Sequence, residues 1–391
     1  MKKENLPTTV SSEITHQSST EDLDLRWQRV VGRRSFLKGI GMAGATLSAG
    51  ALLTTEGHAQ AALTRGDVAL LKFAAWAEVV ETDLWTQYAE LGAVDGGNPA
   101  YMAALSNLDA DMPQYIRDNT DDEISHAAFL NAFLISRGEE PVDLDAFRTL
   151  QGSQATGAKQ LPRLTSLLKL NVDLSWYTRY RSSQNPDLGA TFKGPFTITG
   201  EPAIPLNDTD TPPNQPQPVP PATPQEARMQ AIANTAGFHF AFIEQGGSSL
   251  YPTLAFKATD PTVLRILVSI GGVEIDHFGL WHDKAGNAVS APLAGVTDPE
   301  TGLTFPNLNN PPTELTQTNK ILPEQCDFIA KGPTLPHCSV IRPTLTRLGG
   351  AVATVKAFIA DGLFEGQIAE FFEFALQLAK AADDARRELE H

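Results

Sequence analysis

Apolar residues between positions 67 and 91 recur at helical spacing, with Leu70, Leu71, Phe73, Ala74, Ala77, Val80, Leu84, Trp85 and Tyr88 on the repeat. The period predicts a first long helix, followed by a linker at 95–99 and a short helical patch at 101–108. A second long helix opens near Asp111 and Pro113, a cap and first turn, and stops before Gly138. Thr223, Pro224 and Glu226 supply an N-cap, a first-turn proline and a capping-box glutamate for a third helix. Asp260-Pro261 opens a fourth, which runs to about Lys284, before Gly286. Residues 139–222 separate the second and third helices. They hold a candidate helix over 164–180 and then a stretch rich in Pro, Asp and Thr that has no regular period. Residues 287–346 read as loops, and 351–389 as an amphipathic helical region bent near Gly362 and Gly366. The pattern predicts an all-α fold: a four-helix bundle over 62–286, interrupted by a long crossover, with C-terminal helices that pack on the bundle or on another subunit.

Acidic residues inside the apolar stripes change that picture. Glu81 shares a stripe with Ala74, Ala77, Leu84, Trp85 and Tyr88, and Glu78 is its rival one turn away. Two Glu-x-x-His tetrads, Glu123 with His126 and Glu274 with His277, lie on the second and fourth helices. Residues three apart share a helix face, so each tetrad can present a carboxylate and an imidazole to one ion. Glu244 on the third helix completes an alternation of Glu, Glu-x-x-His, Glu and Glu-x-x-His, the ligand set of a carboxylate-bridged dinuclear iron or manganese centre in a bundle. Each position has a plainer reading. Glu123 closes a capping box if the helix starts at Thr120, and Glu244 ends its helix if Gly246-Gly247 breaks it. Tyr88 and Tyr251 each follow a glutamate by seven, which makes them candidate catalytic side chains or simple aromatic core. His239 and His282 have no such spacing and read as surface or structural.

With these residues in place, 65–137 and 223–286 resemble the ferritin-like superfamily, and within it the exported group that contains desiccation-related proteins. The resemblance implies that Glu81, Glu123 and His126 hold one metal and Glu244, Glu274 and His277 the other, with Glu123 and Glu274 bridging. It also implies a long connection between the second and third helices. The implied cofactors are two iron or manganese ions, and the implied small-molecule partner is oxygen or peroxide. The implied activities are oxidation of ferrous iron and consumption of peroxide. A non-catalytic envelope stress or desiccation-related binding protein is the alternative, and oxidation of an organic substrate a third. The chain lacks the cysteine module that serves as internal electron donor in rubrerythrins.

Composition and termini place the bundle. Arg33 and Arg34 precede a modestly apolar run over 40–53 and small residues at Gly57, Ala59 and Ala61, so 1–61 resembles a twin-arginine signal. The expected partner in export is the twin-arginine translocase, and the expected location is periplasmic or secreted, without a stable membrane anchor. A net charge of −16 argues against nucleic acid as a partner. Cys326 and Cys338, the two cysteines, suit a local disulfide worth on the order of 3 kcal/mol, while a zinc site using them with His337 lacks an evident fourth ligand. A homo-oligomer is compatible with the surplus C-terminal region, 287–391.

Overall fold

The computed structural model describes residues 62–179, 193–311, 336–338 and 349–388. The segment expected to act as a twin-arginine signal, Cys326 and the end of the candidate helix at Tyr180 lie outside them. Among the described residues eight α-helices form: α1 Arg65–Gly92, α2 Pro99–Leu108, α3 Met112–Ser136, α4 Ser175–Arg179, α5 Pro224–Ala255, α6 Pro261–Ala285, α7 Ala351–Asp361 and α8 Ala369–Asp384. Among the described residues the only β pairing is three isolated bridges, and no helix is long and apolar enough to cross a membrane.

The bundle pairs α1 with α3 and α5 with α6. Its ends are set by side chains that satisfy backbone amides which a helix leaves without partners. Thr64 caps α1 by accepting from Asp67 N, and the Asp67 carboxylate accepts from Thr259 N and Asp260 N at the start of α6. One buried aspartate thereby holds the α1 terminus against the α5–α6 turn. The capping box of Thr223 and Glu226 opens α5 as its sequence requires. Helix α5 then passes through Gly246 and Gly247, and through Pro252, to Ala255. Burial of nearly every residue of α5 explains this persistence, because packing on several sides compensates for weak helix formers.

Residues 164–174 correct one expectation: the helix anticipated over 164–180 is confined, among described residues, to α4. Lateral bonds claim the amides a helix would need. Leu164 N and Thr165 N donate to the Asp83 carboxylate, Leu170 N to Glu201 O, and Asn171 N to Asp361 O. The crossover is thus stitched to the outer side of α1, where Arg163 pairs with Glu90 and Arg148 with Asp83. The C-terminal helices cover another part of α1. Gly362, in the left-handed region at φ 90°, ends α7, and Asp383 of α8 caps the other end of α7 by accepting from Ala351 N and Val352 N. Phe371 and Phe364 pack against Trp76 of α1, at ring-centroid distances of 6.3 and 6.1 Å.

Candidate metal centre

Helix α3 starts at Met112, so Glu123 lies three turns inside it. Thr120 is no cap, since its hydroxyl donates back to Ile116 O and to Trp85 O. Glu123 instead points into the bundle between two histidines. Its Oε2 is 3.2 Å from His126 Nδ1 and its Oε1 is 3.1 Å from His277 Nδ1. Around this carboxylate gather Glu78, Glu123, His126 and Glu274 on one side, and Glu123, Glu244, Glu274 and His277 on the other. Within each group the potential ligand atoms lie within 4.8 Å of one another. Glu123 and Glu274 belong to both groups. All these side chains are buried, and only the two imidazole edges have any exposure worth noting.

Helix α1 supplies Glu78, rather than Glu81, to the close-set groups. Glu78 Oε2 stands 3.3 Å from His126 Nδ1, and its other oxygen accepts from the Tyr251 hydroxyl. Glu81 is buried one turn further along α1. The apolar stripe does not separate the two, because α8 and the crossover bury the outer side of α1 as well, along with Asp83, Gln87 and Glu90. Tyr251 therefore reaches across to α1 rather than stacking along α5 beside Glu244. Tyr88 stands apart from the cluster, and its hydroxyl meets His239 Nδ1 at 2.7 Å.

Two residues without a Glu-x-x-His signature shape the site. Asn119 donates from Nδ2 to Glu123 Oε1 at 2.9 Å and to Glu244 Oε1 at 3.1 Å, and its Oδ1 accepts from Trp281 Nε1 at 2.6 Å. It sits four positions before Glu123, so it shares that residue's helix face, which was the available signal. Asp122 accepts from His277 Nε2 at 3.1 Å. The carboxylate is acceptor-only, so Nε2 carries a proton and Nδ1 is the nitrogen turned to the cluster, the orientation common to metal-binding histidines.

Close approach explains the glycines. A Cβ on Gly247 would stand 2.2 Å from Glu274 Oε2, and one on Gly271 would stand 2.6 Å from Tyr251 Cβ. Both lie at the α5–α6 contact, and their lack of a side chain makes room for one cluster carboxylate and for the tyrosine that bonds another.

The electrostatics call for cations. Burial, reinforced by Glu78 and Glu244, pushes the Glu123 carboxyl up to about 7, against its ordinary 4.5. Burial also raises Glu274 well above the usual range, with Glu123 adding to it, and raises Glu81, with Glu274 adding to that. For His126 burial opposes the charged form, but Glu123, Glu274 and Glu78 outweigh it and favour the imidazolium. His277 responds in the same way to Glu244, Asp122 and Glu123. Glu274 Oε2 is buried and accepts no hydrogen bond, while Glu274 Oε1 and Glu78 Oε2 have only the long approach of His126 Nδ1, at 3.5 and 3.3 Å. Buried carboxylate oxygens left in this state are costly unless a cation meets them. Hard oxygen donors with one imidazole at each end suit iron or manganese, so the residues present fit a metal pair.

No curated protein and no solved structure matches the chain at a significant level. Residues 66–287, more than half of the sequence, match the ferritin-like domain and span α1 to α6, so the chain belongs to the ferritin-like family.

Proposed function

We propose that the chain is a ferritin-like metalloprotein whose buried Glu/His cluster holds two iron or manganese ions, and that it oxidises ferrous iron or consumes peroxide. The observation that carries this reading is Glu123, one oxygen to each histidine, beside a buried Glu274 whose Oε1 stands 3.5 Å from His126 Nδ1 and whose Oε2 accepts no hydrogen bond. Glu78, Glu123, Glu274 and His126 would hold one ion, and Glu123, Glu244, Glu274 and His277 the other. When bound, the pair supplies reversible one-electron changes and open positions for oxygen or peroxide.

The protein's own contribution is geometric and electrostatic. Asn119 fixes the orientation of Glu123 and Glu244, the Tyr251 hydroxyl fixes Glu78, and Asp122 sets the His277 tautomer. Trp85, Trp281 and Phe240 form an aromatic wall beyond Asn119 that keeps water out. Burial, reinforced by Glu274, Glu123, Glu78 and Glu244, raises the Glu81 carboxyl beside the site well above the usual range. The direct test is the rate of ferrous oxidation and of peroxide loss in Glu123→Ala and Glu274→Ala chains of native helix content. At least about a hundredfold loss is expected for removal of a shared ligand. Unchanged rates in both would refute the assignment.

A further inference from the structure

A cavity of about 300 Å³ opens between the end of α7, helix α5 and two stretches of the crossover, 171–174 and 194–197. None of the cluster ligands lines it. Its size is at the small end of the roughly 300–1,000 Å³ that ligand sites span. Val172, Phe196, Phe242 and Ala357 give it apolar walls, and Asp173 and Asp361 give it two carboxylates. No basic residue lines it, and α7 carries none in its last turn.

Asp361 is the last residue of α7 and is 2% exposed. Its Oδ2 is 3.1 Å from His239 Nε2, and His239 Nδ1 is in turn 2.7 Å from the Tyr88 hydroxyl. That chain of contacts satisfies Oδ2 and stops there. Oδ1 is buried and has no hydrogen-bond partner. An ionised carboxylate only accepts, so what Oδ1 lacks is a donor, and a buried carboxylate oxygen without one is costly. Burial raises the Asp361 carboxyl above its ordinary range, His239 lowers it in part, and Asp173 adds to the rise. Burial raises Asp173 as well, against the hydrogen bond it accepts from Ser175 N. The negative end of the α7 dipole falls at the same place, so every fixed charge on this wall favours a cation.

We infer that the cavity is a binding site for a small organic cation, an ammonium group on an apolar body, with Asp361 and Asp173 as its charge partners. The ammonium carries three N–H donors, of which one meets Oδ1, and its body covers the apolar walls. Aromatic side chains beside the acids suit the same ligand, since a ring face attracts a cation. A bare metal ion fits less well. Neither aspartate joins a convergent group of three or more His, Cys, Asp or Glu side chains among the described residues, and an ion leaves Val172, Phe196 and Phe242 uncovered. A water molecule satisfies Oδ1 but leaves the same walls uncovered. The site is independent of the metal reading proposed above.

Calorimetric titration of the full chain with benzylammonium, benzyl alcohol and phenylacetate tests this, because the three probes share a ring and differ in charge. One benzylammonium per chain is expected, with and without iron at the cluster, and binding of the alcohol and the acid weaker by about tenfold or more. Asp361→Asn keeps the shape of the side chain and removes its charge, and is expected to weaken benzylammonium by about the same factor. Ala357→Leu fills the cavity from α7 and leaves both carboxylates in place. It is expected to abolish binding in a chain of native helix content, and with the probe series it decides the matter if Asp361→Asn does not fold. Benzyl alcohol that binds as tightly as benzylammonium, unaltered affinity in folded Ala357→Leu, or displacement of benzylammonium by millimolar calcium overturns the inference. So does the absence of binding by all three probes, which leaves Oδ1 to a water molecule.

Discussion

Gly247 shows how much of the candidate centre depends on single atoms. An added methyl there meets the end of the Glu274 side chain, which can swing, rather than rigid backbone. Gly247→Ala is therefore expected to fold with a melting temperature near that of the unaltered chain while its metal affinity falls about ten- to a hundredfold, the range seen when a ligand loses its support. Titration with ferrous or manganous ion checks this, and unaltered affinity would show that Glu274 is not held where the structure places it. At this scale the sequence was legible where chemistry has a period. Glu123 with His126 and Glu274 with His277 follow from three-residue spacing, and Glu244 from its place on the third helix. Glu78 and Glu81 are not separable in this way, since both face buried surroundings. Asn119 and Asp122 act through hydrogen bonds to other helices, which local spacing does not encode.

The long helices were legible as elements because apolar period, caps and first-turn prolines agreed, as at Thr223-Pro224-Glu226. The 164–180 segment was not, because its amides are taken by Asp83, Glu201 and Asp361, residues distant in sequence. The C-terminal pair α7 and α8 had an evident apolar face but no evident partner. That partner is the bundle itself: Phe371 is buried among Trp76, Phe147, Phe364 and Phe372. Truncating it leaves a cavity at the joint between α8 and α1, so Phe371→Ala should cost about 3–5 kcal/mol of stability. Denaturant unfolding gives the value directly. A change under about 1 kcal/mol would mean that α8 rests on the bundle without supporting it.

Across the whole molecule, the fold spends stability to gather acids where water is excluded. Without metal the signature is a dependence on pH. The Glu123 carboxyl is raised from 4.5 to about 7 in the folded state, so the stability it contributes is full below 4.5 and is lost as pH climbs through about 7. Metal-free Glu123→Gln, which never has to ionise, should match the unaltered chain below that window and melt at a higher temperature above it. Melting curves of the two chains across the window would contradict the claim if their difference did not grow with pH. Bound cations replace the protons, so loaded protein should lose this dependence. The central claim is that the cluster is a dinuclear metal site, and elemental analysis of metal per purified chain tests it most directly. About two iron or manganese ions per chain are predicted, with a sharp fall in Glu274→Ala, whose carboxylate both ligand groups share. A folded chain that holds no metal after anaerobic loading with ferrous or manganous ion would contradict it.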